Sequence, residues 1–103
     1  MTEGRIAALE RMLAARPDDA RLRFGLAVEY QKAGLGEEAV RELRAYLERT
    51  DDQGNAWGRL GALLRELGRD EEARAAYRRG IEQAGRHGHP SMAAEFEATL
   101  AEI

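Results

Sequence analysis

Apolar residues recur at helical spacing along the whole chain. Ile6, Leu9 and Leu13 fall at i, i+3 and i+7, on one face of a first helix. Pro17 cannot continue that helix, and Asp18-Asp19 offer short acidic side chains to cap the next one. Leu22, Leu26, Tyr30 and Ala33 form a second stripe, closed by Gly34, a residue able to take the left-handed conformation common at helix ends. Ala39, Leu43, Tyr46 and Leu47 form a third. Glu37 and Arg41, and Arg44 and Glu48, are expected as surface neighbours on it, worth a few tenths of a kcal/mol each. Thr50-Asp51-Asp52-Gln53 reads as a capping box ahead of a fourth helix carrying Trp57, Leu60, Leu64 and Leu67. Gly68 closes it. Ala73, Tyr77, Ile81 and Ala84 make the fifth stripe. Gly85 to His89 is expected to be the longest loop. Pro90 and Ser91 then open a last helix with Met92, Phe96, Leu100 and Ile103 inward. Short connections predict antiparallel neighbours.

The stripes repeat. Leu26, Gly34, Glu37, Glu38, Ala39, Arg44 and Glu48 recur 34 residues later as Leu60, Gly68, Glu71, Glu72, Ala73, Arg78 and Glu82. A fixed period of this length marks units that stack on one another to bury a shared core.

The second unit reads Trp57-x2-Leu60-Gly61-x2-Leu64, then Ala73-x3-Tyr77; the first reads Arg23-x2-Leu26-Ala27-x2-Tyr30, then Ala39-x3-Leu43. This resembles the tetratricopeptide repeat, whose pattern is Trp-x2-Leu-Gly-x2-Tyr, then Ala-x3-Phe, then Pro. Gly61 and Ala27 suit close helix approach, as do Ala39 and Ala73, while Trp57, Tyr30 and Tyr77 fill the space between. The departures are Arg23 for the first aromatic, and Asp51 and Gly85 where the family proline would stand. The resemblance implies an all-α fold: a tetratricopeptide-like stack of antiparallel helix pairs, about six helices, forming a short right-handed superhelix. The expected organisation is one domain over 1–103. It comprises a leading half-unit at 3–17, full repeats at 20–53 and 54–87, and a capping helix at 90–103, whose apolar residues have slipped out of the 34-residue register.

Composition narrows the function classes. With 103 residues there is room for one domain, burying roughly two-thirds of its unfolded surface. Charged residues are 34% of the chain and hydrophobic ones 44%, yet the net charge is only −3. The periodic apolar residues argue against disorder, and the charge balance argues against a dedicated nucleic-acid binder. Fifteen of the sixteen basic residues are Arg, which points to a GC-rich, bacterial genome. The absence of cysteine removes disulfide and thiolate chemistry. No apolar run approaches the ~18–20 residues of a membrane span, and Met1 to Arg11 lacks the pattern of a secretory signal, so no membrane role and a cytoplasmic location are expected.

The resemblance implies noncatalytic protein–protein interaction, with the first helix of each pair lining the inside of the curve. Phe24 and Val28 point nearly opposite to the Leu22–Leu26–Tyr30 stripe, which therefore does not bury them. Their equivalents in the second unit are Gly58 and Ala62. The candidate partner-binding surface is then Arg21, Phe24, Val28, Gln31 and Lys32 with Asn55, Gly58, Arg59, Ala62 and Arg65. Three readings stay open. The surface takes an apolar or amphipathic peptide or helix from an unidentified protein; Phe24 and Val28 pack on the leading helix through Ile6 or Leu9; or the surface pairs with a second copy in a homodimer. Gly58 either admits a close neighbour or has drifted, at about 1 kcal/mol of helix propensity. One family subset clamps C-terminal carboxylates with lysine and asparagine. Phe24 and Val28 stand where the first of those residues would fall, which argues against that activity here.

Other chemistry is thin. His87-Gly88-His89 lacks a third and fourth metal ligand, so neither a metal nor a cofactor is expected. The arginines of the second half, Arg65 to Arg86, are interleaved with acids and read as a solvated face, leaving an RNA-associated repeat a remote alternative. Ser91 is the only serine and no acid is placed to orient a histidine toward it; Glu37-Glu38 and Glu71-Glu72 recur with the unit. No enzymatic function is expected.

Overall fold

A computed structural model describes residues 2–103; Met1, where the expected domain begins, lies outside the described residues. The described residues form six helices and no strand: α1 (Thr2–Ala15), α2 (Ala20–Lys32), α3 (Gly36–Arg49), α4 (Asn55–Glu66), α5 (Asp70–Arg86) and α6 (Pro90–Glu102). They fall into two compact units, residues 1–50 with α1–α3 and residues 51–103 with α4–α6.

In the first unit α2 and α3 form an antiparallel hairpin, and α1 packs on α2. Leu26, Ala27 and Tyr30 of α2 are buried, as are Ala39, Val40 and Leu43 of α3. Asp19 caps α2, its carboxylate accepting from the Leu22 N–H at 3.2 Å. Two acids lie inside this unit. Glu29 accepts from Arg5 Nη1 of α1 at 3.1 Å, with Lys32 Nζ 3.6 Å away. Glu42 accepts from Arg23 Nη1 at 2.9 Å and from Arg41 Nε at 3.4 Å. The arginine that replaces the repeat's first aromatic is thus half of a hairpin-spanning ion pair. Its counterpart Glu42 stands 34 residues before Ala76, as Arg23 stands before Trp57.

In the second unit α4 and α5 form the hairpin and α6 packs on α5. Leu60, Leu63 and Leu64 are buried against Ala73, Ala76 and Tyr77. The ring of Tyr77 lies on Gly61, where an added Cβ would sit 2.8 Å from it. Gly61 therefore admits a ring from the partner helix; no other residue would leave room for it.

Gly34 and Gly68 take φ of 78° and 76°, as their positions predict. The residue after each closes the helix behind it: the Leu35 N–H donates to Tyr30 O and the Arg69 N–H to Leu64 O, both at 2.8 Å. Two expectations need correcting. Thr50 and Gln53 do not form a capping box. Thr50 ends α3, and the Asp52 carboxylate alone accepts the Gly54 and Ala56 N–H groups, at 2.8 and 2.9 Å. Residues 85–89 are not the longest loop. α5 runs on to Arg86 and closes at Gly88 (φ 73°), with the His89 N–H donating to Ala84 O at 2.8 Å. That motif needs no more than three residues between helices, and the longest connection is 50–54.

Candidate functional site

The expected surface residues divide between the units. On α2, Arg21 and Lys32 are exposed, while Phe24, Val28 and Gln31 are half-buried. The Phe24 ring meets Tyr46 of α3, centroids 5.1 Å apart and planes tilted by 57°. That neighbour belongs to the hairpin's own second helix, a contact none of the three readings named. α1 meets α2 through Glu29 and through Tyr30, whose hydroxyl donates to Glu10 Oε2 at 2.5 Å. Burial and this bond push the Tyr30 pKa up to about 12; burial also raises that of Tyr77.

On α4, Asn55, Arg59, Ala62 and Arg65 are exposed, and Gly58 is half-buried among them. α6 lies alongside and parallel. Met92 reaches Gly54 near the start of α4, the Phe96 ring lies on Gly58 one turn later, and Glu102 sits 3.5 Å from Arg65 near the end. A cleft of about 600 Å³ opens between the starts of the two helices. Asn55, Gly58 and Arg59 form its α4 side. The segment from Gly88 to Met92, with Glu95 and Phe96, forms the other. Its walls are mixed: the guanidinium of Arg59 and the carboxylate of Glu95 on one hand, Met92 and Phe96 on the other.

Three of the ten expected residues therefore meet in one cleft, and the second half of its wall comes from α6. A signal for that wall does exist in the chain. At the 34-residue offset Gly58 and Gly80 replace Phe24 and Tyr46, and α6 carries one aromatic, Phe96.

His87 Nε2 stands 3.4 Å from Asp51 Oδ2, and His89 Nε2 is 2.6 Å from Gln53 Oε1, so the two imidazoles face different partners. Among the described residues no three of His, Asp or Glu are placed to hold a metal ion. Along α5, Arg69 pairs with Glu72, Arg74 with Glu71 and Arg79 with Glu82. Arg79 also lies over the Trp57 ring, 5.1 Å from its centroid. No described helix is long and apolar enough to cross a membrane.

Comparison with known proteins agrees with this architecture. A family model for the tetratricopeptide repeat matches residues 1–84. The TPR repeat-containing protein PA0015 of Pseudomonas aeruginosa is 34% identical over 98 residues, 95% of this chain and 93% of that protein. Among solved structures, PcrH in complex with the chaperone binding region of PopD superposes with a TM-score of 0.85 at 19% identity, covering 98% of this chain and 77% of that one. The MamA protein gives a TM-score of 0.75 at 20% identity, covering 99% and 63%. The two structures share the fold; the sequence relationships go further, and on them the chain belongs to the tetratricopeptide repeat family.

Proposed function

We propose that this chain is a noncatalytic protein–protein interaction module of the bacterial cytoplasm. It holds an apolar or amphipathic segment of another protein on the inner surface of its repeats. We take 20–53 and 54–87 as the full repeats, 3–17 as a leading half-unit and 90–103 as the cap. The observation that carries this reading is the cleft of the second unit, where Asn55, Gly58 and Arg59 stand beside the apolar edges of Met92 and Phe96. Such a mixed wall suits a segment with an apolar stripe and polar flanks. PcrH, of the same fold, has been solved with a segment of another protein bound, which supports a peptide as the class of ligand. The face of α2 with Phe24, Val28 and Gln31 offers a second contact area.

The test is capture from bacterial extract with wild type, Arg59→Glu and Val28→Glu, followed by calorimetric titration of each purified candidate. A genuine partner binds wild type and loses about tenfold or more to Arg59→Glu, and one that also uses the α2 face loses affinity to Val28→Glu. Partners that bind all three chains equally would overturn the assignment of this surface. A homodimeric subunit is the second reading.

A further inference from the structure

α6 turns one side toward its own unit and leaves the other open. Met92, Phe96 and Leu100 are half-buried, while Ala94, Ala98 and Ala101 are exposed in one line at i, i+4 and i+7. Ala94 and Ala98 stand 34 residues after Leu60 and Leu64. In α4 those leucines are 1% and 0% exposed, inside the hairpin that α4 makes with α5. The side that α4 turns toward its second helix is thus the side that α6 leaves to solvent.

α1 shows the converse. Ile6 and Leu13 are buried and Glu10 accepts from Tyr30, so this side of α1 clasps α2. Ala8, Met12 and Ala15, again at i, i+4 and i+7, lie away from it. Met12 is 42% exposed, a large apolar side chain left to water. Ala8 and Met12 stand 34 residues before Glu42 and Tyr46, with which α3 grips Arg23 and Phe24 of α2. Among the described residues, α6 is a first helix with no second across it, and α1 a second helix with no first.

The two open faces carry opposite charge. Residues 90–103 hold three glutamates and neither Lys nor Arg; Glu97 and Glu102 are exposed on the two edges of the alanine line. On α1 and just beyond it, Arg11 and Arg16 are exposed on the two edges of the Met12 line.

We propose that α1 of one copy of the chain docks on the open face of α6 of another, completing across two molecules a helix pair that neither completes alone. The alanines let the helix axes approach to the about 8–10 Å of packed helices, and the flexible Met12 fills the gap between them. The charged edges set orientation more than strength. Two α6 faces would oppose glutamates and two α1 faces arginines, so the contact is heterologous. Each added copy still offers one face of each kind, so association continues past two chains, unlike a closed homodimer. The proposal goes beyond partner binding, since it uses the side of α6 opposite the Met92 and Phe96 edges of the cleft.

The experiment measures weight-average mass by sedimentation on the full chain, from about 10 µM to about 1 mM, with no other protein present, so its outcome is independent of what the cleft binds. One helix pair buries little area, so wild type is monomeric at the low end and its mass rises past that of two chains at the high end. Met12→Glu and Ala98→Arg, both at exposed positions where helix propensity changes little, each weaken association at least about tenfold. Far-UV circular dichroism checks that both remain helical. Because the chain has no cysteine, Met12→Cys and Ala98→Cys give a clean cross-linking pair. Under mild oxidation their mixture forms a disulfide-linked dimer of one copy of each, and neither forms one alone. Wild type monomeric up to about 1 mM would overturn the proposal and leave both faces to another protein. A mass that levels off at two chains, association undiminished in either variant, or cross-linking of one cysteine variant with itself would overturn it as well.

Discussion

The ion pair between Arg23 and Glu42 allows the clearest energetic test, because the second unit provides its apolar equivalent. Glu42 is 4% exposed, and the Arg23 side chain 19%. Truncating Glu42 to Ala strips the guanidinium of its carboxylate. Arg23 keeps one bond, from Nη2 to Pro17 O at 3.1 Å, and its Nε is buried without a partner. Breaking a fully buried pair costs about 3–5 kcal/mol. The retained bond and partial hydration of Arg23 reduce this to about 2–3 kcal/mol. Arg23→Ala leaves Glu42 with Arg41, whose side chain is 63% exposed, and falls in the same range.

The double change Arg23→Trp with Glu42→Ala copies Trp57 and Ala76 at the same register. It should return to within about 1 kcal/mol of wild type, since a well-packed apolar replacement of a buried pair is often neutral. Urea titrations followed by circular dichroism would show each single variant with a midpoint well below wild type and a coupling energy of about 2 kcal/mol in the cycle with Arg23→Ala/Glu42→Ala. In wild type and the Ala variants, Trp57 emission reports the second unit separately. Single variants that cost under about 0.5 kcal/mol, or that add without coupling, would refute the argument that the pair replaces an apolar contact.

Three further outcomes are expected. The raised Tyr30 pKa favours the neutral phenol in the fold, so its contribution is fully present below pH 10 and is lost as pH rises toward 12; an alkaline titration of stability should fall by about 2 kcal/mol over that window, and Tyr30→Phe should flatten it. Gly61→Ala forces a Cβ against the Tyr77 ring and should cost about 1–3 kcal/mol in thermal or urea unfolding, part of it recovered on adding Tyr77→Leu. Asp52→Ala should lose about 1 kcal/mol while Thr50→Ala changes stability by under about 0.5 kcal/mol, the reverse of what a capping box would give.

The hairpins were legible because their determinants are local and repeated. Leu26 and Leu60, Ala39 and Ala73, and Gly34 and Gly68 occupy matching positions, and each is where helical spacing puts it. Less legible were side chains with two possible uses. Asp52 and Thr50 are both good caps, and only the backbone turn at Gly54 decides which oxygen reaches the free N–H groups. Gly85 reads as a breaker, yet α5 continues through it because Gly88, not Gly85, takes the left-handed turn. Arg23 looked like a blemish in the repeat until Glu42, a full helix away, came beside it. The wall of the cleft formed by α6 was missed for the same reason. Phe96 finds its place through glycines 16 and 38 residues earlier, a distance that no periodicity within a helix reveals.

Where the two repeats agree they specify the hairpin; where they differ they specify what each hairpin can receive. Arg23 and Glu42 against Trp57 and Ala76 is one exchange, ionic for apolar, and it changes how the hairpin closes on itself. Phe24 and Tyr46 against Gly58 and Gly80 is another, and it changes what the hairpin can take in. Two rings in the first unit occupy their own slot, so that unit presents a filled face. Two glycines in the second create a concavity that is stable only with a ring inside it, because an empty slot of that size would forfeit the dispersion contacts of every group lining it. The second unit is therefore obliged to hold a ring-bearing helix, and its own α6 supplies one. The first carries no such obligation, and it is between α4 and α6 that the cleft lined by Asn55, Arg59 and Glu95 opens.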